Sequence, residues 1–281
     1  MKKSKTIKGL SIGYLVFMLF ILYIPILIIT IQSFNSNVGS TNFTGFTLKW
    51  YSEMLQDDEL MRAIFYTFAI SILATILAVI GGTFTAIGIN SLNKRRRRNL
   101  ILMNNIPVLN ADIVTGVSLF FIFKLIGYMI GLEFILGFWT LLIAHVLFCM
   151  PYVILCVLPK LSHIDNNLYD AALDLGCKKN TALMKVIIPS IKTGILTGAI
   201  LAFVMSFDDF VISYLVAGGE VRNFSMWFEL RQRSVKSGVW GKAYAYNTII
   251  SFIAIIGLVV YCIIKMKKIK VEGRLKYEKV D

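Results

Sequence analysis

Charge is scarce in this 281-residue chain: 16% of its residues are Asp, Glu, Lys or Arg, against 57% hydrophobic, and mean hydropathy is +0.73. A water-soluble domain cannot cover that much apolar side chain, so a polytopic membrane protein is the default class. Other shortages narrow the chemistry. There are four cysteines and two histidines. Cys149 and Cys156 share one predicted helix, Cys177 lies in a loop, Cys262 lies in the last apolar segment, and no C-x-x-C occurs. Neither a disulfide framework nor a metal site is expected from that pattern. His145 and His163 have no ligand-type neighbour in the sequence. No G-x-x-x-x-G-K-[ST] run is present, so the chain is not expected to bind or hydrolyse ATP, and no cofactor of its own is expected. A soluble domain with a nucleophile and base is missing too, which argues against an enzyme. The first apolar run is too long for a signal-peptide core and no small-x-small site follows it, so it reads as a retained span.

What is present is six apolar segments, each about long enough for the hydrocarbon core. They run over residues 10–31, 63–89, 100–127, 135–158, 194–217 and 243–264. The expected fold class is all-α, a single membrane domain of six transmembrane helices over 1–281. Asn104, Asn105, Pro107 and Asn110 interrupt the third segment, and His145 and Pro151 fall in the fourth. The 29 Lys and Arg fix an orientation. Four precede the first segment, five form the run Lys94–Arg98, five lie between the fourth and fifth segments and seven follow the last. That is 21 on one side against seven on the other (Lys49, Arg62, Arg222, Arg231, Arg233, Lys236 and Lys242), with Lys124 inside a span. The positive-inside rule then sets both termini in the cytoplasm. The net charge of +13 is thereby explained by lipid headgroups, and the run at 94–98 reads as an anchor rather than a nucleic-acid patch.

The longest cytoplasmic connection, residues 159–193, has its own pattern. After the cap candidates Asp165, Asn166 and Asn167, the residues Leu168, Ala171, Ala172 and Leu175 fall at i, i+3, i+4 and i+7. They make one apolar face of a short helix, and Gly176 supplies a stop. A second basic helix is expected over about 181–188, before Pro189. Periodicity alone leaves two readings, a helix lying on headgroups or one docked in a partner. The residue order decides. Asp170-Ala171-Ala172, three residues, Gly176, nine residues and Val186-Ile187-Ile188-Pro189 resembles the EAA loop of ABC-importer permeases, with Asp170 where the family has Glu, Val186 for Ile and Ile188 for Leu. Four more stretches, YIPILIITIQSFNSN, GFTLKWY, GFWTLLIAHVLFCMPYV and SFDDFVIS, are similar to the permease branch of bacterial spermidine/putrescine importers. The resemblance covers nearly the whole chain and weakens over 221–240 and the tail.

Three carboxylates fall inside predicted spans: Asp112, Asp208 and Asp209. An Asp at a helix centre costs roughly 2.5–3.5 kcal/mol, so such residues need partners or water. With continuous helices, Asp112 and Asp208 would both lie roughly 18–21 Å from the cytoplasmic boundary. Two readings stand for them: cation binding along a path, or structure, Asp112 in particular following a helix breaker. Carboxylates in a low-dielectric path suit a polycation and repel anions. Trp50 in the first external loop is either a stacking surface for a cation or an interfacial belt residue. The same loop holds Glu53, Asp57, Asp58 and Glu59, a possible cation funnel or docking edge.

The resemblance implies more than the residues show. It implies a polyamine substrate, with Trp50, Asp112, Ser206, Asp208 and Asp209 in the substrate path. It also implies that Leu168, Asp170, Ala171, Ala172, Leu175 and Gly176 form a coupling helix seated in an ATPase cleft. Its implied partners are two ATPase subunits that bind ATP and Mg, a second permease subunit and an external polyamine-binding protein, beside membrane lipids and without nucleic acid. A bacterial inner membrane follows. Two rivals remain: a permease for another amine, an amino acid or a metal complex, and a self-sufficient secondary transporter. The EAA-like loop argues against the second, as does the lack of two matched repeats.

Overall fold

In the computed structural model, residues 2–38, 42–131, 136–164, 167–219, 221–232 and 238–277 are described, without side chains at 2–10 and 267–277. Apart from one bridge between Asn35 and Phe46, every regular element among them is helical. In chain order these are α1 (Lys2–Ser33), α2 (Lys49–Leu55), α3 (Asp58–Asn90), α4 (Lys94–Leu109), α5 (Asp112–Met129), α6 (Phe138–Ser162) and α7 (Asn167–Asp174). Then come α8 (Lys179–Ala182), a wide π turn (Leu183–Ile187), α9 (Ile188–Ser190), α10 (Lys192–Phe207), α11 (Val211–Val216), α12 (Phe224–Gln232) and α13 (Gly238–Tyr277). The first, second, fourth and sixth expected spans appear as α1, α3, α6 and α13. Asp165, Asn166 and Ile135, named above as caps and as a span start, lie outside the described residues.

The third and fifth spans are corrected. Each is broken rather than continuous. Residues 94–109 form α4, whose four arginines leave it short of a membrane segment, and only α5 is long and apolar enough to cross. Between them Ala111 and Asn110 are extended, with ψ of 141° and 149°. Pro107, three residues earlier, removes a backbone donor from the last turn of α4. In the fifth span α10 ends at Phe207, Asp208 closes it at φ −97°, ψ 2°, and a separate α11 begins at Val211. Upstream, the helix of α8 to α9 meets α10 at a 71° bend. Five helices qualify as spans, or six if that bent pair counts as one. The depth estimate for Asp112 crosses the break at 110–111 and does not hold, whereas the helix from Lys192 to Phe207 is continuous, as the estimate for Asp208 assumed.

The chain divides into two compact units where one membrane domain was expected. One comprises residues 1–58 and 231–281, in which α13 packs on both α1 and α2. Most of α1 from Ser11 and the part of α13 from Phe252 to Met266 are exposed, as lipid-facing helices are, whereas Ala243, Ala245, Tyr246 and Thr248 of α13 are buried. Buried Asn35 organises the loop after α1. Its Oδ1 accepts from Thr44 N (2.9 Å) and Thr44 Oγ1 (2.8 Å), and its amide donates to Gln32 Oε1 (2.8 Å). An ion pair of 2.8 Å joins Lys242 to Asp57.

The other unit, residues 59–230, is built on small residues. Along α3 the buried positions are Ala63, Thr67, Ile70, Ala74, Ala78, Gly82 and Ala86, one stripe at helical spacing. Along α10 they are Gly194, Gly198, Ala202 and Ser206, one every four residues. Both stripes serve close approach, the way helices associate where lipid removes the hydrophobic drive. A Cβ on Gly198 would lie 3.2 Å from Val153 Cα, and one on Gly82 would lie 2.9 Å from Val153 Cβ. Central α6 is the helix they meet. It buries Leu141, Ala144, His145, Cys149, Val153 and Val157, and its Thr140 hydroxyl donates to Val216 O at 3.0 Å.

Candidate functional site

The helices that follow the two breaks, α5 and α11, pack on each other. Gly116, one turn into α5, packs on α11: a Cβ there would lie 2.8 Å from Leu215 Cδ1 and 3.4 Å from Ile212 Cα. Asp112 precedes Gly116 by four residues of continuous helix, about 6 Å of rise, and Asp208 precedes Ile212 by four residues across the break. Both are exposed, and neither makes a side-chain hydrogen bond or ion pair among the described residues. Asp112 begins α5 but does not cap it, since Ala111 is the cap and receives no side-chain bond. Its charge at a helix N-terminus is favourable all the same. Lys124, its other suggested partner, instead lies 6.0 Å over the Phe120 ring of its own helix.

Asp209 points the other way. It is 8% exposed, and its Oδ1 accepts from Ile212 N (3.2 Å) while Oδ2 accepts from Ser213 N and Ser213 Oγ (both 2.8 Å). These bonds satisfy backbone donors that open α11, the duty of a cap. Asn223, just before α12, donates to Asp209 O (2.7 Å) and Ser213 Oγ (2.9 Å), and its Oδ1 accepts from Met226 N (2.9 Å). Ser206, at the end of the α10 stripe, is also buried. Its hydroxyl lies 2.7 Å from His145 Nδ1, and His145 Nε2 lies 3.0 Å from Ser213 Oγ and 3.6 Å from Asp209 Oδ2. A closed polar set of His145, Ser206, Asp209, Ser213 and Asn223 thus holds the break between α10 and α11 against α6. Buried polar groups in an apolar surround demand such completeness.

Of the five substrate-path residues expected from the sequence, Asp112 and Asp208 stand outward, whereas Ser206 and Asp209 face inward. Trp50 is in the unit of α1, α2 and α13. It is 4% exposed, donates through Nε1 to Asn35 O at 2.7 Å, and rests on Gly241 of α13, where any side chain would overlap its ring. Its neighbour Lys49 lies 5.3 Å over the ring. That is a wedge between elements, and the cation stacked on it is its own lysine. Within the acidic loop, Lys49 pairs with Glu53 at 3.4 Å and Lys242 with Asp57, so two of its four carboxylates are neutralised locally.

The short helix expected before Gly176 forms. Helix α7 spans Asn167–Asp174 and ends in a Schellman turn: Gly176 N donates to Leu173 O (2.9 Å) and Cys177 N to Ala172 O (3.1 Å), with Gly176 at φ +85°. Leu168 and Leu175 are exposed, Leu175 at 86%, and Asp170 and Ala171 lie on the surface with them. Ala172 alone of the apolar face turns into its own chain. A short helix with two exposed leucines presents a face for a groove elsewhere.

The residues missed from the sequence are His145, Ser213 and Asn223. A signal existed for the first. The four-residue stripe of α10 aims Ser206 inward, and the same spacing in α6 aligns His145 with buried Cys149 and Val153.

Comparison with known proteins agrees with this architecture. The model of a family described as binding-protein-dependent transport system inner membrane components matches residues 78–266. Over 254 residues the chain is 32% identical to the spermidine/putrescine transport system permease protein PotC of Escherichia coli K12, covering 89% of this chain and 91% of that one. The protein of the same name from Haemophilus influenzae is 35% identical over 233 residues, 81% of this chain and 85% of its own. The putrescine transport system permease protein PotI of Escherichia coli K12 is 33% identical over 242 residues, 85% of each. Among solved structures, a bacterial ABC transporter involved in the import of the acidic polysaccharide alginate shares the fold, with TM-score 0.74 and 15% identity over 92% of this chain and 97% of that one. This chain therefore belongs to the binding-protein-dependent transport system inner membrane components, the permease subunits of ABC importers.

Proposed function

We propose that this permease forms half of the translocation path of an ATP-driven polyamine importer, taking spermidine, putrescine or both. Two ATPase subunits, which bind ATP and Mg, a second permease subunit and an external polyamine-binding protein complete the machine. Both termini and the loop at 159–193 lie in the cytoplasm, supported by the 21-to-7 distribution of Lys and Arg. Helix α7 seats in the ATPase through Leu168, Ala171 and Leu175, with Asp170 at its edge and the Gly176 turn fixing its end.

The observation that carries the substrate reading is the pair of exposed carboxylates, Asp112 and Asp208, which have no side-chain partner among the described residues and sit at helix breaks followed by α5 and α11, which pack on each other. Interrupted helices at membrane depth belong where they line a path. Two carboxylates there hold successive ammonium groups by charge-assisted hydrogen bonds and reject anions. Ser206 and Asp209 serve the same path from behind by shaping the break, and Trp50 serves by fastening α2 to α13. Relatives carrying spermidine and putrescine in their names support the cargo class. The alginate importer shows why fold alone does not: the same architecture accompanies an acidic cargo.

The test is uptake of radiolabelled spermidine and putrescine by cells expressing this chain with and without the partner subunits. ATP-dependent uptake with all partners, lost in Asp208→Asn, is expected. Uptake by this chain alone would sink the ABC-type mechanism. An assembled complex with ATPase activity and no polyamine uptake would leave the architecture and overturn the cargo.

A further inference from the structure

His145 is a titratable side chain on α6 with 1% exposure, and no ligand-type residue lies near it in the sequence. Its bonds define what it does. The carboxylate of Asp209 only accepts, so the Ser213 hydroxyl proton goes to Oδ2 at 2.8 Å. Ser213 Oγ must then accept from both Asn223 Nδ2 and His145 Nε2, which places a proton on Nε2. At the other ring nitrogen, Ser206 has no second acceptor. Its i−4 carbonyl, Ala202 O, takes the Cys149 thiol instead, at 3.3 Å. The Ser206 hydroxyl therefore donates to Nδ1 at 2.7 Å. With Asp209 as a carboxylate, this is the bonding pattern that an Nε2-protonated imidazole completes, accepting from Ser206 of α10 and donating to Ser213 of α11.

This makes the ring a spacer across the break. Ser206 precedes the two aspartates, Ser213 follows them, and one rigid ring spans both. The direction of the intervening residues is thereby set, with Asp209 inward and Asp208 outward. Helix packing does not need this bridge, since Gly194 and Gly198 already hold α10 on α6. We propose that His145 is a positioning residue for transport: by tying Ser206 to Ser213 it holds the α10–α11 break in the geometry that presents Asp208 to the path. The transport part of this inference rests on the polyamine reading of Asp208 above.

Two substitutions separate the bridge from simple bulk. In His145→Gln the side-chain amide can still accept from Ser206 and donate to Ser213, because its oxygen and nitrogen are spaced like the two ring nitrogens. In His145→Leu both bonds go. The first readout ignores cargo. A chain with Cys149, Cys156, Cys177 and Cys262 replaced by alanine and carrying Asp208→Cys is assembled with its partners in membranes. It is then treated with a water-soluble cationic methanethiosulfonate. Adding His145→Leu is expected to slow labelling about tenfold and His145→Gln to change it less than about twofold. Ser206→Ala, which cuts the same bridge and leaves the histidine, should follow His145→Leu and covers the case where the leucine variant fails to assemble. Unchanged labelling in both bridge-breaking variants, or a glutamine variant as slow as the leucine one, would overturn the proposal.

The second readout is uptake. With Asp208 present, His145→Leu should raise the KM for radiolabelled spermidine about tenfold, and His145→Gln should change it less than about twofold. Altered labelling with an unaltered KM would support the positioning role and sink the assignment of Asp208 to the cargo path.

Discussion

The turn after the coupling helix offers a test whose size can be worked out. Gly176 sits at φ +85°, and a Cβ there would meet nothing within 4 Å. An alanine therefore fits in space and is penalised only by its backbone. That conformation costs an L-residue roughly 1–2 kcal/mol, offset by about 0.4–1 kcal/mol of lost freedom in the unfolded chain. The net is about 1 kcal/mol against the closed turn, roughly a fivefold rise in its opening. Two bonds are at stake, Gly176 N to Leu173 O and Cys177 N to Ala172 O, and α7 has only eight residues to hold itself together. Helices that short do not persist without their ends fixed. In the assembled transporter, amide exchange over residues 172–177 should speed up about fivefold in Gly176→Ala and less in Gly176→Asn, because asparagine tolerates the left-handed region better. ATP hydrolysed per substrate imported should rise in the same order. Gly176→Pro adds the loss of the donor to Leu173 and should be worst. An alanine variant matching wild type in both exchange and coupling would refute the reasoning, as would an asparagine variant more impaired than alanine.

Three further outcomes follow from packing. Gly82→Ala pushes a methyl to within 2.9 Å of Val153 Cβ and should cost about 1–3 kcal/mol, whereas Gly88→Ala, with open space around it, should be neutral or gain up to about 1 kcal/mol. Thermal unfolding in detergent measures both, and equal effects would contradict the α3–α6 contact. Trp50→Phe keeps the ring and loses the bond to Asn35 O, so it should cost about 1–2 kcal/mol of stability and leave the KM for polyamine unchanged. A raised KM at full stability would restore Trp50 to the substrate path. Asp57→Asn should destabilise the pairing of α2 and α13 measurably, with Lys242→Met in the same chain restoring part of the loss, because the second change removes a charge the first left half-buried. Strict additivity of the two would argue that the ion pair is absent in solution.

How much of this was legible in the sequence depends on the length scale of the signal. Apolar runs of about 20 residues are set by bilayer thickness, so α1, α3, α6 and α13 were located from composition alone. Helix α7 was legible because its apolar spacing and its terminal glycine are both local. The break at 110–111 was signalled by Pro107 and Asn110, but the one at 208–210 was not, since hydropathy averages over a window longer than the interruption. Asp208 and Asp209 were seen as costly residues in a helix, when their cost is met by ending the helix. That single change reverses the reading of adjacent carboxylates. In a continuous helix Asp208 and Asp209 lie about 100° apart and both could reach one path. In a broken one, Asp209 turns back to cap α11 while Asp208 closes α10 facing out. The deciding partner was His145, 63 residues upstream, a long-range contact that no local spacing around the aspartates encodes. Its role was within reach only through the small-residue stripe of α10, which ends on Ser206 and so points to whatever polar group α6 buries opposite. For this chain, the inward stripe was the better guide to the site than the charges themselves.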